Sequence, residues 1–205
     1  VFSVQQSLHP EIQEIILNEA ASHNSLLTFV NPDDWVPNTW HLGISGKHQI
    51  ENASLACAMA SQWISTCRPN LKLSANDMKS SLEAVRWPGR QQIVSVSPNL
   101  TLFLDGSHTL ESILATASWF EKSKTSPTSK SILYFHCSPD RDFKSLLRPL
   151  LEMHESFHKV YFMLPESVHG DTCRILETHR EMSDYWNNRT GKAISEIIGS
   201  DFTQL

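Results

Sequence analysis

Residues 101–112 read Thr101-Leu102-Phe103-Leu104-Asp105-Gly106-Ser107-His108-Thr109-Leu110-Glu111-Ser112. A strand-like apolar run ends at Asp-Gly, and a helical pattern from about Thr109 to Lys122 begins after the turn. The same step recurs downstream. Ile132 to Phe135 reads as a strand, about Phe143 to Met153 as a helix, and Val160 to Leu164 as a strand again. Strands alternating with helices of this length predict an α/β fold with a mainly parallel sheet flanked by helices. Right-handed crossovers would then bring the strand carboxyl ends to one edge, where such sheets bind ligands.

Outward from this core the pattern is less uniform. Thr172 to His179 and Ala193 to Ile198 are read as helices, with Asp184 to Gly191 as a polar connection. On the amino-terminal side, Ile93 to Val96 and Thr101 to Leu104 flank Ser97-Pro98-Asn99 and predict a hairpin. Arg86-Trp87-Pro88-Gly89-Arg90 breaks the helix that Ser74 to Asp77 opens with a capping-box pattern. Before it lies a long helical stretch in which Ala53, Ala56, Ala60, Trp63, Ile64 and Cys67 share one predicted side. Val1 to Val4, about Glu11 to Ser22, and Leu26 to Val30 read strand, helix, strand.

The 205 residues suffice for one large α/β domain, or for a small domain with part of another. Seventeen basic against 22 acidic residues give a net charge of −5, which offers no diffuse positive field for a nucleic-acid backbone. The hydrophobic fraction of 40% supports a buried core, and no apolar run approaches the roughly 20 residues of a membrane-spanning helix. Four cysteines without C-x-x-C spacing point to free thiols in a reducing compartment. The ten histidines form no compact cluster with the cysteines, so no metal ligand is assigned. Trp63, Trp119, Phe120, Phe157 and Phe162 are assigned to core faces. Because the sequence starts with Val1 inside a strand-like stretch, the natural amino terminus is expected upstream.

Three separate places carry residues suited to a nucleotide. Asp105 follows a strand, where its carboxylate could accept hydrogen bonds from ribose hydroxyls, although an aspartate placed so is more often a turn or cap residue. Arg90 follows a Pro-Gly turn, and its guanidinium could grip phosphate oxygens or remain solvated. Asn52 lies with His48 and Gln49 at the start of the long helix, where its amide could meet an adenine edge or cap the helix. His108 follows Asp105 closely and could be a surface histidine. Asp140-Arg141-Asp142 after the next strand could face a ligand or open a helix.

Taken in order, Leu42-Gly43-Ile44-Ser45-Gly46-Lys47-His48-Gln49 with Asn52-Ala53, then Arg86-Trp87-Pro88-Gly89-Arg90, then Phe103 to Ser112, the chain resembles the folylpolyglutamate synthases, a family of Mur-type ligases. Weaker agreement runs from Val1-Phe2-Ser3-Val4-Gln5-Gln6 through Asp140-Arg141-Asp142 to Leu146-Leu147-Arg148-Pro149-Leu150. The resemblance implies the end of a P-loop-type central domain followed by a Rossmann-like, mostly parallel domain. Residues 1–70 would close the ATPase domain, 71–88 would connect, and 89–205 would form the carboxyl-terminal domain, which reads as incomplete.

The same resemblance implies ATP with Mg²⁺ as cofactors, and folate and L-glutamate as partners. ATP would phosphorylate the folate carboxylate, and the glutamate amine would attack the acyl phosphate. By motif, Asn52 would meet adenine, Arg90 the phosphates and Asp105 the ribose, with His108 near the incoming glutamate. A cytoplasmic or mitochondrial location is expected. No G-x-x-x-x-G-K-[ST] occurs here, and His136-Cys137-Ser138 replaces a polar Asn-x-Thr. A missing amino-terminal ATPase segment is therefore expected, leaving the isolated chain inactive. Two alternatives are another Mur-type amide ligase and a non-catalytic binding module.

Overall fold

The computed structural model describes residues 1–6, 9–46, 48–124, 129–164 and 172–199. The chain divides into two compact units, Val1–Asp105 and Gly106–Leu205.

In the first unit, β1 (Phe2–Val4) and β2 (Thr28–Val30) pair in parallel, in register from Phe2 with Thr28 to Val4 with Val30. The crossover between them is α1 (Pro10–Ser22), with proline in its first turn, where a missing N–H costs nothing. α2 (His48–Cys67) packs on this small sheet and on the 3₁₀ turn Pro32–Asp34. Ser54, wholly buried, directs its hydroxyl between the carbonyls of Ile50 at 2.7 Å and Pro32 at 3.2 Å.

The buried stripe of α2 is Ala53, Ser54, Cys57 and Ala58, which corrects the predicted one. Ala56 and Ala60 are exposed, and Trp63 is 57% exposed instead of lying in a core. Apolar residues surround much of this helix, so periodicity alone could not choose its inner face. Small residues meet the short sheet, where a tryptophan would hold the backbones apart.

α3 (Ala75–Ala84) starts at the predicted capping box. The Ser74 hydroxyl accepts from the Asp77 N–H at 3.1 Å, and the Asp77 carboxylate accepts from the Ser74 N–H at 3.1 Å. The Ser74 hydroxyl also donates to that carboxylate at 2.6 Å, and this bond first, with the one from the Ser74 N–H second, holds the Asp77 carboxyl below its ordinary range. β3 (Gln92–Ser97) and β4 (Leu100–Leu104) form the predicted antiparallel hairpin, in register from Gln92 with Leu104, with an irregularity between Ser95 and Ser97.

The second unit is a parallel sheet in the order β5 (Ser131–Phe135), β6 (Phe157–Met163), β7 (Ser195–Ile198). It is flanked by α4 (Leu110–Ser123), α5 (Phe143–Glu152) and α6 (Thr172–Thr190). Its core joins Ile113 of α4, Leu146, Leu147 and Leu150 of α5, Phe135, Val160 and Phe162 of the sheet, and Met182 and Trp186 of α6. Phe157 and Phe162 are buried, and Phe120 packs against this core, as predicted.

Two predicted elements differ here. Asp184 to Thr190 continues α6 instead of forming a connection, and Gly191 at φ +66° follows the helix end. Asp184, Asn188 and Arg189 are exposed, while Met182 and Trp186, four apart, enter the core. Residues 193–198 do not form a helix: Ser195–Ile198 is β7, because β6 offers a strand edge that pairs with it from Val160–Ser195 to Met163–Ile198. The Ser195 hydroxyl lies 2.7 Å from that of Ser183, joining β7 to α6 in a buried contact.

Candidate functional site

In the first unit, the loop of residues 41–46 is set by close contact with the end of α3. The Gly43 N–H donates to the Leu82 carbonyl at 2.9 Å. A Cβ at Gly43 would stand 2.1 Å from the Val85 carbonyl oxygen and 2.7 Å from that of Glu83. Arg86 closes the same helix end, its Nη1 donating to the Glu83 and Val85 carbonyls at 2.7 and 2.8 Å. Only glycine lets the backbones approach this closely. Gly43→Ala is expected to lower unfolding stability by about 1–3 kcal/mol, the usual cost of forcing extra atoms into a packed site. Urea denaturation of the two proteins checks it.

The start of α2 follows this loop. Gly46 has φ +117°, and a Cβ there would lie 2.8 Å from His48 Cε1 and 3.6 Å from Gln91 Nε2. The Gln91 side chain from the far end of the unit's sequence thus reaches the loop. His48 Nε2 lies 2.9 Å from Gln49 Nε2, and Asn52 Nδ2 donates to Gln49 Oε1 at 3.1 Å.

Arg90 and Asp105 are joined through the residue between them and the hairpin. Trp87 to Arg90 forms a turn, with the Arg90 N–H on the Trp87 carbonyl at 3.2 Å and Gly89 at φ +71°. Gln91 has a left-handed backbone, φ 43°, uncommon away from glycine. Its N–H donates to Asp105 Oδ2 at 2.7 Å, a charge-assisted bond that fixes the carboxylate at the end of β4. Since Gln92 pairs with Leu104, the hairpin register itself places Gln91 opposite Asp105. One succession of neighbours therefore runs Asn52, Gln49, His48, Gly46, Gln91, Asp105, with Arg90 adjoining Gln91.

His108 belongs to the second unit. Its Nδ1 lies 3.1 Å from the Gly106 carbonyl, and its backbone N–H donates to the Ser112 hydroxyl at 3.1 Å. Thr109 and Ser112 form a capping box that opens α4 just after it. Asp142 opens α5, its carboxylate accepting from the N–H groups of Lys144 and Ser145 at 3.2 and 3.3 Å and from the Ser145 hydroxyl at 2.6 Å. These bonds, led by the one from the Ser145 hydroxyl, hold its carboxyl below the ordinary range.

Gln91 was absent from the predicted site. The available signal was the hairpin count, which sets the residue after Arg90 across from Asp105. Arg86 stands in the predicted helix break and in the stretch that carries the family resemblance, but its capping of α3 is not visible in the sequence. Among the described residues no group of three or more His, Cys, Asp or Glu side chains could hold a metal ion. Nor is any described helix long and apolar enough to cross a membrane.

The chain has the mixed α/β architecture of solved folylpolyglutamate synthases, with a parallel sheet and flanking helices. The Mycobacterium tuberculosis folylpolyglutamate synthase, solved with ADP and AMPPCP, matches 97% of the chain and 45% of its own length at TM-score 0.66 and 17% identity.

Sequence comparison makes the relationship particular. The chain is a homologue of the folylpolyglutamate synthases and corresponds to a carboxyl-terminal portion of them. It is 28% identical to the Candida albicans folylpolyglutamate synthase over 98% of this chain and 46% of the relative. It is 29% identical to the mitochondrial folylpolyglutamate synthase of Cricetulus griseus over 70% of this chain and 29% of the relative. The chain thus spans less than half the length of these curated relatives. No protein-family model matches it.

Proposed function

We propose that this chain is the carboxyl-terminal part of an ATP-dependent ligase that adds glutamate to folates, and that it supplies nucleotide contacts to the assembled enzyme. Asn52 would face the adenine, Arg90 the phosphates and Asp105 the ribose, with His108 beside the incoming glutamate. The observation that carries this reading is the Gln91–Asp105 bond at 2.7 Å, which couples Arg90 to Asp105, while Gln91 also reaches the loop leading to Asn52. The donor set suits a nucleotide: an amide with one donor and one acceptor edge, a guanidinium for phosphate oxygens and a carboxylate for hydroxyls.

In this reading residues 1–70 end the ATPase domain, 71–88 connect and 89–205 form the carboxyl-terminal domain. Carboxylate oxygen is a poor leaving group, so phosphorylation by ATP would make the acyl phosphate that the glutamate amine displaces. The residues of this chain hold and orient the nucleotide; the phosphate cradle and Mg²⁺ ligands come from an amino-terminal segment. The enzyme works in the cytoplasm or mitochondrion.

The test is to join the chain to a P-loop-bearing amino-terminal segment of a folylpolyglutamate synthase. The joined protein is expected to lengthen a folate by glutamate with stoichiometric release of ADP, and the chain alone to show no turnover. A joined, folded protein that prefers a nucleotide-linked sugar peptide, or that consumes no ATP, would refute the folate assignment.

A further inference from the structure

The second unit contains a pair of imidazoles that the ligase reading does not use. His136 directly follows β5, and His179 of α6 is wholly buried. His136 Nδ1 lies 3.0 Å from His179 Nε2, with the rings stacked at a centroid separation of 5.1 Å. His179 Nδ1 is 2.7 Å from the Ile175 carbonyl, so that nitrogen carries its proton and Nε2 is left as an acceptor. The His136 Nδ1–H donates to it and also lies 3.1 Å from the Met163 carbonyl at the end of β6. A single tautomer of each ring satisfies all these contacts. The pair ties the carboxyl ends of β5 and β6 to α6, at the edge where parallel sheets bind ligands.

We propose that His136 and His179 form a proton-operated latch: a proton taken from solvent onto His179 Nε2 removes the acceptor for His136 and releases residues 136–142, the segment between β5 and α5. This goes beyond the ligase reading and does not depend on it. The protonated ring would point its new Nε2–H at the His136 Nδ1–H and compete with it for the Met163 carbonyl, while carrying charge at a buried position.

Among the described groups, His136 is the titratable one that acts on His179. Cys137, next along from β5, points its thiol to the Met182 sulfur at 3.7 Å, and burial pushes that thiol up to about 11. Asp140 and Arg141 act on Cys137 in opposite directions. Lys144 of α5 lies over the Phe143 and Tyr185 rings, Arg189 of α6 also lies over Tyr185, and Lys159 of β6 pairs with Glu196 of β7.

Burial first, and the nearby His136 second, lower the His179 pKa from the ordinary 6.5, against the carbonyls of Ile175 and Met163. The unfolded chain therefore takes up the proton at higher pH than the folded one. The stability that neutral His179 contributes is complete above pH 6.5 and is lost as pH falls below it.

The test is amide hydrogen exchange of the whole chain at pH values of about 7.5 and about 5.5, corrected for intrinsic rates. Peptides covering 136–142 are expected to exchange on the order of tenfold faster at the lower pH, the factor for one pH unit of a single-proton opening, with β6 and α6 still protected. His136→Ala, at an exposed position, should exchange fast in this segment at both pH values. His179→Gln, which cannot take the proton, should lose the pH response. The latch is overturned if His136→Ala matches wild type at pH 7.5, if a folded His179→Gln keeps the acid response, or if the wild-type segment opens only with the entire unit.

Discussion

Replacing Arg90 with Ala is expected to lower ATP-dependent glutamate addition by the joined enzyme about 10²–10³-fold, equivalent to about 2.7–4 kcal/mol of lost transition-state stabilisation. The chain invests unusual backbone in this position. Gly89 on one side has φ +71° and Gln91 on the other φ 43°, and the turn is closed by the Arg90 N–H on the Trp87 carbonyl. In the proposed role the Arg90 guanidinium would meet phosphoryl oxygens with two parallel donors, and charge on those oxygens changes most during transfer. The loss should therefore fall on kcat more than on the KM for folate. Arg90→Lys keeps the charge without the planar fork and should recover only part of the rate. Steady-state kinetics of the folded variants checks this, and unchanged turnover in Arg90→Ala would remove Arg90 from the site.

Trp186→Ala is expected to destabilise the second unit by about 3–5 kcal/mol, the usual cost of emptying a large aromatic site. Trp186 is wholly buried, lies 6.2 Å from Phe157 between ring centroids, and packs with Met182 and the sheet residues. A domain holds about 5–15 kcal/mol in total, so this loss brings it close to unfolding at room temperature. Trp186→Phe should behave differently. The indole Nε1 is buried with no hydrogen-bond partner among the described residues, and phenylalanine removes that unmet donor while keeping most of the ring volume. The smaller cavity and the relieved N–H oppose each other, so the change should stay within about 1.5 kcal/mol. Urea denaturation of both variants, followed by a signal from the second unit, separates the two outcomes.

Local chemistry made much of the molecule readable in advance. The capping box at Ser74–Asp77, the hairpin around Pro98 and the strand–helix alternation from Leu104 onward each depend on residues close in sequence. The errors lie where a distant partner decides. β7 is a strand because β6 presents an edge, and four residues such as Ser-Glu-Ile-Ile carry too little pattern to reveal that. The second half of α6 is polar on its solvent face and was read as a connection, although Met182 and Trp186 anchor it. Helical spacing puts Trp63 on the same side as Ala53 and Ala60, whereas α2 buries only small residues.

The candidate site divides in the same way. Asn52, Arg90 and Asp105 stood out by residue type and motif, but the backbone link through Gln91 required the hairpin register and a left-handed residue that no composition indicates. The His136–His179 contact joins positions 43 residues apart, and neither has a neighbour that marks it as half of a pair.

Titration of the isotope-labelled chain with ADP, followed by side-chain and backbone NMR, addresses the convergence of Asn52, Arg90 and Asp105 most directly. If one nucleotide spans them, the Asn52 amide, the Arg90 guanidinium and the Gln91 N–H that reports on Asp105 shift along one saturating curve with a common Kd. Signals that move with different Kd values, or a response confined to one of the three places, would contradict a shared nucleotide.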